Sequence, residues 1–137
     1  MRVEPYLNFN GRCEEALQFY TRALGAEVMM MMRMNESPDP HPPGMVPPGS
    51  EEKIMHAALR VGDTTVMLSD GGCGGATHFE GITLSLAVQD EASALRYFGA
   101  LADGGEVQMP LGKTFWTPNF GMVKDRFGVS WMINQMD

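Results

Sequence analysis

His56, His78, Glu80 and the glycine run at 71–75 are the places where this chain could do chemistry. Imidazole titrates near neutral pH, and imidazole beside carboxylate is a donor set for divalent ions. His78-Phe79-Glu80 holds both groups, but it lies between strand patterns and reads as a solvated loop. His41 stands in a proline-rich stretch and reads the same way. His56 is the one histidine inside a strand pattern. Two readings of it stay open: a structural hydrogen bond in a half-buried setting, or a polar handle or acid–base group in a cleft. Gly71-Gly72-Cys73-Gly74-Gly75 lacks the lysine and following helix of a phosphate-binding loop, so it reads as a linker. Cys13 and Cys73 make no disulfide framework and read as free thiols. Trp116 is either a loop anchor or an aromatic wall for a ligand, and Arg60 reads as solvated. No nucleophile stands beside a base with an orienting group, which leaves covalent catalysis without support.

The elements that must position these residues come as a duplicated pattern. Val3 to Phe9 alternates as a strand. Asn10 and Gly11 open a helix with Glu14 and Glu15 in its first turn, and Cys13, Leu17, Tyr20 and Leu24 share one face. Gly25 stops it. Ala26 to Met34 is a second strand, in which Met29 to Met32 call for burial on both faces or exposure to a pocket. Asn35 to Ser50, with prolines at 38, 40, 42, 43, 47 and 48, is a long loop. Lys53 to Val61 and Thr64 to Ser69 form a hairpin about Gly62-Asp63. The second copy repeats this. It has a strand at Gly81–Val88, then a helix capped by Asp90, striped by Leu95, Phe98, Leu101 and Ala102, and stopped by Gly104. Strands follow at Glu106–Leu111, Phe120–Lys124 and Val129–Asn134, the last two joined by an Asp125–Gly128 turn. Trp131 alternates with Met132 and belongs to the core.

The expected fold is therefore α+β: two tandem βαβββ modules, about 3–70 and 81–136, within a single domain spanning 1–137. They should form a curved eight-stranded mixed sheet around a cleft, with helices on the outer face. That cleft is the default place for a ligand.

Composition narrows the partners. A net charge of -7 argues against nucleic acid or an anionic membrane surface. No run of apolar residues is long enough to span a bilayer, and the cytoplasm is the expected location. The 13 methionines suit either a plastic core or an accommodating apolar pocket.

Several phrases carry a resemblance: Tyr6-Leu7-Asn8-Phe9-Asn10-Gly11, Ala16-Leu17-Gln18-Phe19-Tyr20, Leu24-Gly25, His56-Ala57-Ala58-Leu59, Met67-Leu68-Ser69-Asp70, and Asp125 through Ile133. With them the chain resembles the vicinal oxygen chelate superfamily of glyoxalase I, bleomycin-resistance proteins and extradiol dioxygenases. The nearest branch is the PhnB-like group, whose members often carry a demethylubiquinone methyltransferase label. No glycine-rich cofactor-binding βαβ unit supports that activity here.

The resemblance implies where a metal would sit. Metal-dependent members supply His, Gln or Glu from four strand positions. Counted from the shared helix and turn, these fall on Pro5, on Leu68 (or Met67 or Ser69), on Thr83 and on Met132. Proline, leucine and methionine do not hold a hard divalent cation, and one threonine holds it poorly. The expectation is no metal and no cofactor. If Pro5, Thr83 and Met132 face inward, alternation adds Val3, Leu7, Ser85, Ser130 and Asn134. The ligand-binding candidates are Pro5, Leu7, His56, Leu68, Thr83, Ser85, Trp116 and Met132. The expected function is a metal-free binding protein for a small apolar or aromatic molecule. The alternative is a lyase or oxygenase-like enzyme with a rearranged metal site among His56, Asp70, His78 and Glu80, or with His56 as acid–base group. A homodimer is expected because the resemblance implies it and because open sheets leave edges to cover.

Overall fold

The computed structural model describes residues 1–38, 49–71 and 77–136. His41, Cys73 and most of the proline-rich stretch lie outside these, as do the glycines at 72–75. The chain divides into two compact units, Met1–Thr77 and His78–Asp137, which contain the two expected modules.

The first unit runs β1 (Tyr6–Asn8), α1 (Cys13–Leu24), β2 (Glu27–Arg33), a short 3-10 turn (Met34–Glu36), β3 (Ile54–Val61) and β4 (Thr64–Ser69). The second runs β5 (Thr83–Val88), α2 (Glu91–Ala102), β6 (Glu106–Gly112), β7 (Phe120–Lys124) and β8 (Ser130–Gln135). The expected eight strands are hydrogen-bonded as two four-stranded mixed sheets, ordered β1-β4-β3-β2 and β5-β8-β7-β6. The order follows from the connections. A helix carries the chain from the first strand to the far edge, and two antiparallel pairings bring it back until the fourth strand lies parallel to the first.

The duplication reaches fine detail. Both β2 and β6 begin Glu-Val, and both break register just after that valine, between Val28 and Met30 and between Val107 and Met109. Glu27 lies opposite Arg60 with an ion pair at 2.7 Å, and Glu106 lies opposite Lys124.

Helix α1 has no side-chain cap of its own on Arg12. Instead, buried Asp70 reaches across from the end of β4. Its Oδ1 accepts from Gly11 N (2.7 Å) and Cys13 N (2.8 Å), and its Oδ2 accepts from Ile54 N (2.7 Å). The helix buries Leu17, Phe19, Tyr20 and Leu24. Each such burial is worth about 1.5–3 kcal/mol, so packing outweighs any single cap of ~1 kcal/mol. Gly25 ends α1 in the left-handed conformation (φ 64°), and Gly62 (φ 57°) turns the β3–β4 hairpin, as the sequence requires.

In the second unit Asp90 caps α2 by accepting from Ser93 N at 2.7 Å, and that hydrogen bond holds its carboxyl below the usual range. The expected apolar stripe needs one correction. Ala94 and Leu101 are buried, while Leu95, about 100° further round the helix, is 57% exposed. Buried Asp125 organises the β7–β8 turn. It accepts from Phe127 N, Val129 N and the Trp131 indole Nε1 at 2.9, 3.1 and 2.9 Å. Trp131 is a core residue, as expected. Gly121 lies against Phe98 of α2 so closely that an added Cβ would meet its ring at 2.7 Å.

Candidate functional site

In each sheet one face meets the helix and the other does not. The second sheet matches the alternation expected from sequence. Trp131 and Ile133 of β8 are buried on the helix side, with Leu84 and Leu86 of β5 beside them in register. Thr83 pairs with Ser130, Ser85 with Met132 and Ala87 with Asn134, and these occupy the far face. Across β8, Met132 meets Met122 and Asn134 meets Phe120. Thr83, Ser85 and Met132 therefore share a face, as expected, over a floor of methionine.

Trp116 stands at the end of this face. It is 50% exposed, and its Nε1 donates to Asn134 Oδ1 at 3.2 Å. Its ring meets Phe120 edge-on at 5.2 Å and Phe115 at 4.9 Å. The loop beneath it is fastened by buried Thr117, whose Oγ1 donates to Gln135 O at 2.6 Å, and by Asn119 Nδ2 donating to Gln135 Oε1 at 2.7 Å. An indole held at one edge with its faces partly open is a stacking surface.

The first sheet corrects the expectation. Leu7 and Leu68 are opposite one another and buried (7% and 0% exposed), on the side of Ala57 and Leu59 that packs toward α1. Pro5 shares the parity of Leu7, is half-buried, and accepts from Met67 N at 2.9 Å. The far face carries Tyr6, Met67, Ala58 and His56 instead. Counting back from Phe19-Tyr20 passes through a left-handed turn at Asn10 and Gly11 (φ 49° and 107°), and such a turn does not preserve strand parity. The signal was present: Leu7 in β1 and Phe9 just after it are apolar and both buried, and apolar residues belong on the helix side.

His56 has a partner that sequence reading missed. Its Nδ1 lies 3.1 Å from Tyr6 Oη, with ring centroids 5.6 Å apart. The phenol can donate to a bare Nδ1, which places the imidazole proton on Nε2. Met32 stands opposite His56 on β2.

A divalent metal of the superfamily type has no suitable donors here. The positions carry Thr83 and Met132 in one unit, and Pro5 with buried Leu68 or thioether Met67 in the other. These do not fit a hard cation. Among the described residues no three of His, Cys, Asp and Glu cluster. His78 Nε2 and Glu80 Oε2 pair at 2.7 Å, and both side chains are 80% exposed. Asp70 is engaged by three backbone N–H groups and serves the fold.

Comparison with known proteins agrees with this frame. The family model described as 3-demethylubiquinone-9 3-methyltransferase matches residues 1–134. The chain belongs to that family, and its fold is shared with a glyoxalase/bleomycin resistance protein from Albidiferax ferrireducens T118, which is 18% identical, covers 100% and 99% of the two chains and superposes with a TM-score of 0.62. The chain is 38% identical to protein YjdN of Escherichia coli over 98% of this chain and 95% of that protein. A crystal structure of protein PA1353 from Pseudomonas aeruginosa is 44% identical, covers 98% and 97% of the two chains, and superposes with a TM-score of 0.85. A putative 3-demethylubiquinone-9 3-methyltransferase, PhnB protein, from Bacillus cereus is 26% identical, with coverage of 99% and 100% and a TM-score of 0.80. The methyltransferase in the family's description is a statement about the family's name and is not carried to this chain.

Among the described helices none is long and apolar enough to cross a membrane.

Proposed function

We propose that this chain is a metal-free small-molecule binding protein, whose ligand is a small apolar or aromatic molecule. One observation supports this best: Trp116, held by Asn134, borders a methionine floor of Met122 and Met132. Methionine adapts to irregular apolar shapes, and a tethered indole stacks on a planar ring at little entropic cost. Thr83 and Ser85 supply hydroxyls on the same face and could orient one polar substituent.

Thermal-shift measurements against a panel of planar aromatic compounds test the reading. A ligand at 100 times its Kd adds about 2.7 kcal/mol to the folded state. Stabilisation that disappears in Trp116→Ala and Met132→Lys supports the proposal, and no stabilisation by any compound defeats it.

The Tyr6–His56 contact favours a second reading, a lyase or oxygenase-like enzyme with a rearranged metal site or with His56 as its acid–base group. Metal analysis of protein made without a histidine tag separates the two. A stoichiometric divalent ion favours the enzyme.

A further inference from the structure

His56 sits half-buried in β3, on the face of the first sheet that turns away from α1. Its Nδ1 lies 3.1 Å from Tyr6 Oη, and among the described residues its Nε2 has no hydrogen-bond partner. Methionines of the neighbouring strands share that face with it. Met32 stands directly opposite on β2, and directly opposed residues of an antiparallel pair have Cα atoms about 4.5–5.5 Å apart. One row along, Ala58 stands between Met30 of β2 and Met67 of β4. Both methionines are diagonal to His56, about 7–8 Å away, a span that long side chains cross. Met30 is 40% exposed, while Met32 and Met67 are half-buried, so solvent and small ions reach the group.

Thioether sulfur is a soft, uncharged donor. Together with imidazole it suits Cu(I) and its heavier congener Ag(I), whereas hard ions such as Mg²⁺ and Ca²⁺ take oxygen. Among the described residues no three of His, Cys, Asp and Glu cluster, so His56 offers a hard divalent ion no donor set. The second sheet supplies a contrast. Met109, Met122 and Met132 stand in one row there, but its strands contain no histidine. Tyr6 completes the set in the first sheet. A metal-bound imidazole ordinarily donates its other N–H to an oxygen, which fixes the ring. Tyr6 Oη stands where that acceptor is needed. When a cation takes Nε2, the ring proton resides on Nδ1 and is donated to Tyr6 Oη, whose own hydrogen turns to water.

We propose that His56 Nε2 and the sulfurs of Met32, Met67 and Met30 form a binding site for a soft monovalent cation, Cu(I) or Ag(I). Its anchor and two of its sulfurs come from β3 and β2, whereas the superfamily's divalent-ion positions fall on or beside β1, β4, β5 and β8. The site lies within the first unit. It is independent of the aromatic-ligand reading, which rests on the second unit and is metal-free with respect to hard divalent ions.

Titration of the whole chain with silver nitrate in chloride-free buffer tests it, with Ag(I) as the redox-inert probe. The protein is untagged, carries Cys73→Ser to remove a competing thiol, and has nitrogen-labelled histidine. Ag(I) is expected to move the His56 Nε2 resonance and to give Nδ1 the shift of a protonated nitrogen, while zinc sulfate leaves both in place. Loss of an outer-shell partner alone costs roughly tenfold or more in metal affinity, so Met32→Leu and Met67→Leu are each expected to raise the Ag(I) Kd read at His56 by about tenfold or more. Both changes conserve apolar volume, and circular dichroism confirms that the variants are folded. Met109→Leu, on the second sheet, leaves that Kd within about twofold. Silver that binds only at Cys13 and leaves His56 unmoved, a His56 that responds equally to zinc, a Kd unchanged by Met32→Leu or by Met67→Leu, or one raised as far by Met109→Leu each overturns the proposal.

Discussion

Trp116 Nε1 donates to Asn134 Oδ1 across 3.2 Å, so the most exposed indole of the chain is tied to the strand whose neighbouring residue faces the core. The tether fixes the ring over the sheet face that carries Met132 and Phe120. Asn134→Leu removes the acceptor and is expected to let the ring swing into water. The Trp116 emission then shifts to the red and becomes more quenchable by acrylamide, while Asn134→Asp, which keeps the acceptor, preserves the native spectrum. Identical spectra for Asn134→Leu and the parent would show that the tether is idle.

Tyr6 is placed to set the tautomer of His56. Tyr6 Oη and His56 Nδ1 lie 3.1 Å apart, and a phenol that donates to Nδ1 holds the ring proton on Nε2. Tyr6→Phe is expected to return the imidazole to a mixture of both tautomers at high pH. Nitrogen chemical shifts of the labelled ring read this directly, and an unchanged tautomer ratio would contradict it.

Asp70 takes three backbone N–H groups from the loop before α1, from α1 itself and from β3. Asp70→Asn turns one acceptor oxygen into a donor aimed at N–H groups. It is expected to cost about 3 kcal/mol in urea denaturation, since bonds to a buried charged acceptor are the strong kind. A loss below about 1 kcal/mol would mean that the three bonds are replaceable by water.

Burial of Cys13, followed by the nearby charge of Asp70, pushes its thiol well above the ordinary value. The folded state keeps the proton where the unfolded state releases it, so the unfolded state binds fewer protons at alkaline pH. The contribution is fully present below about pH 8.5 and is lost as pH rises beyond it, at about 1.4 kcal/mol per pH unit. Stability measured from pH 7 to 10 should fall more steeply for the parent than for Cys13→Ala. Parallel curves would rule the linkage out.

Much of the frame was legible in the chain itself. Gly62-Asp63, Gly25, Asp90 and the Asp125–Gly128 turn each mark a boundary through local backbone physics: positive φ without a Cβ penalty, or a carboxylate meeting free N–H groups. The second-module candidates Thr83, Ser85 and Met132 also came out on one face, because counting ran from a tight turn directly into a strand.

What local pattern could not decide were relationships between distant segments. Strand β1 is three residues long, so its parity is set by its pairing with β4, sixty residues away, and that pairing turned Leu7 and Leu68 into the core and Tyr6 outward. The Tyr6–His56 and Trp116–Asn134 contacts span fifty and eighteen residues and exist only once sheet register is fixed. The amino-acid order determined which elements form, since turns and caps act over a few residues. The tertiary structure alone decided which side chains meet, since hydrogen-bond register between strands is a property of the whole ladder.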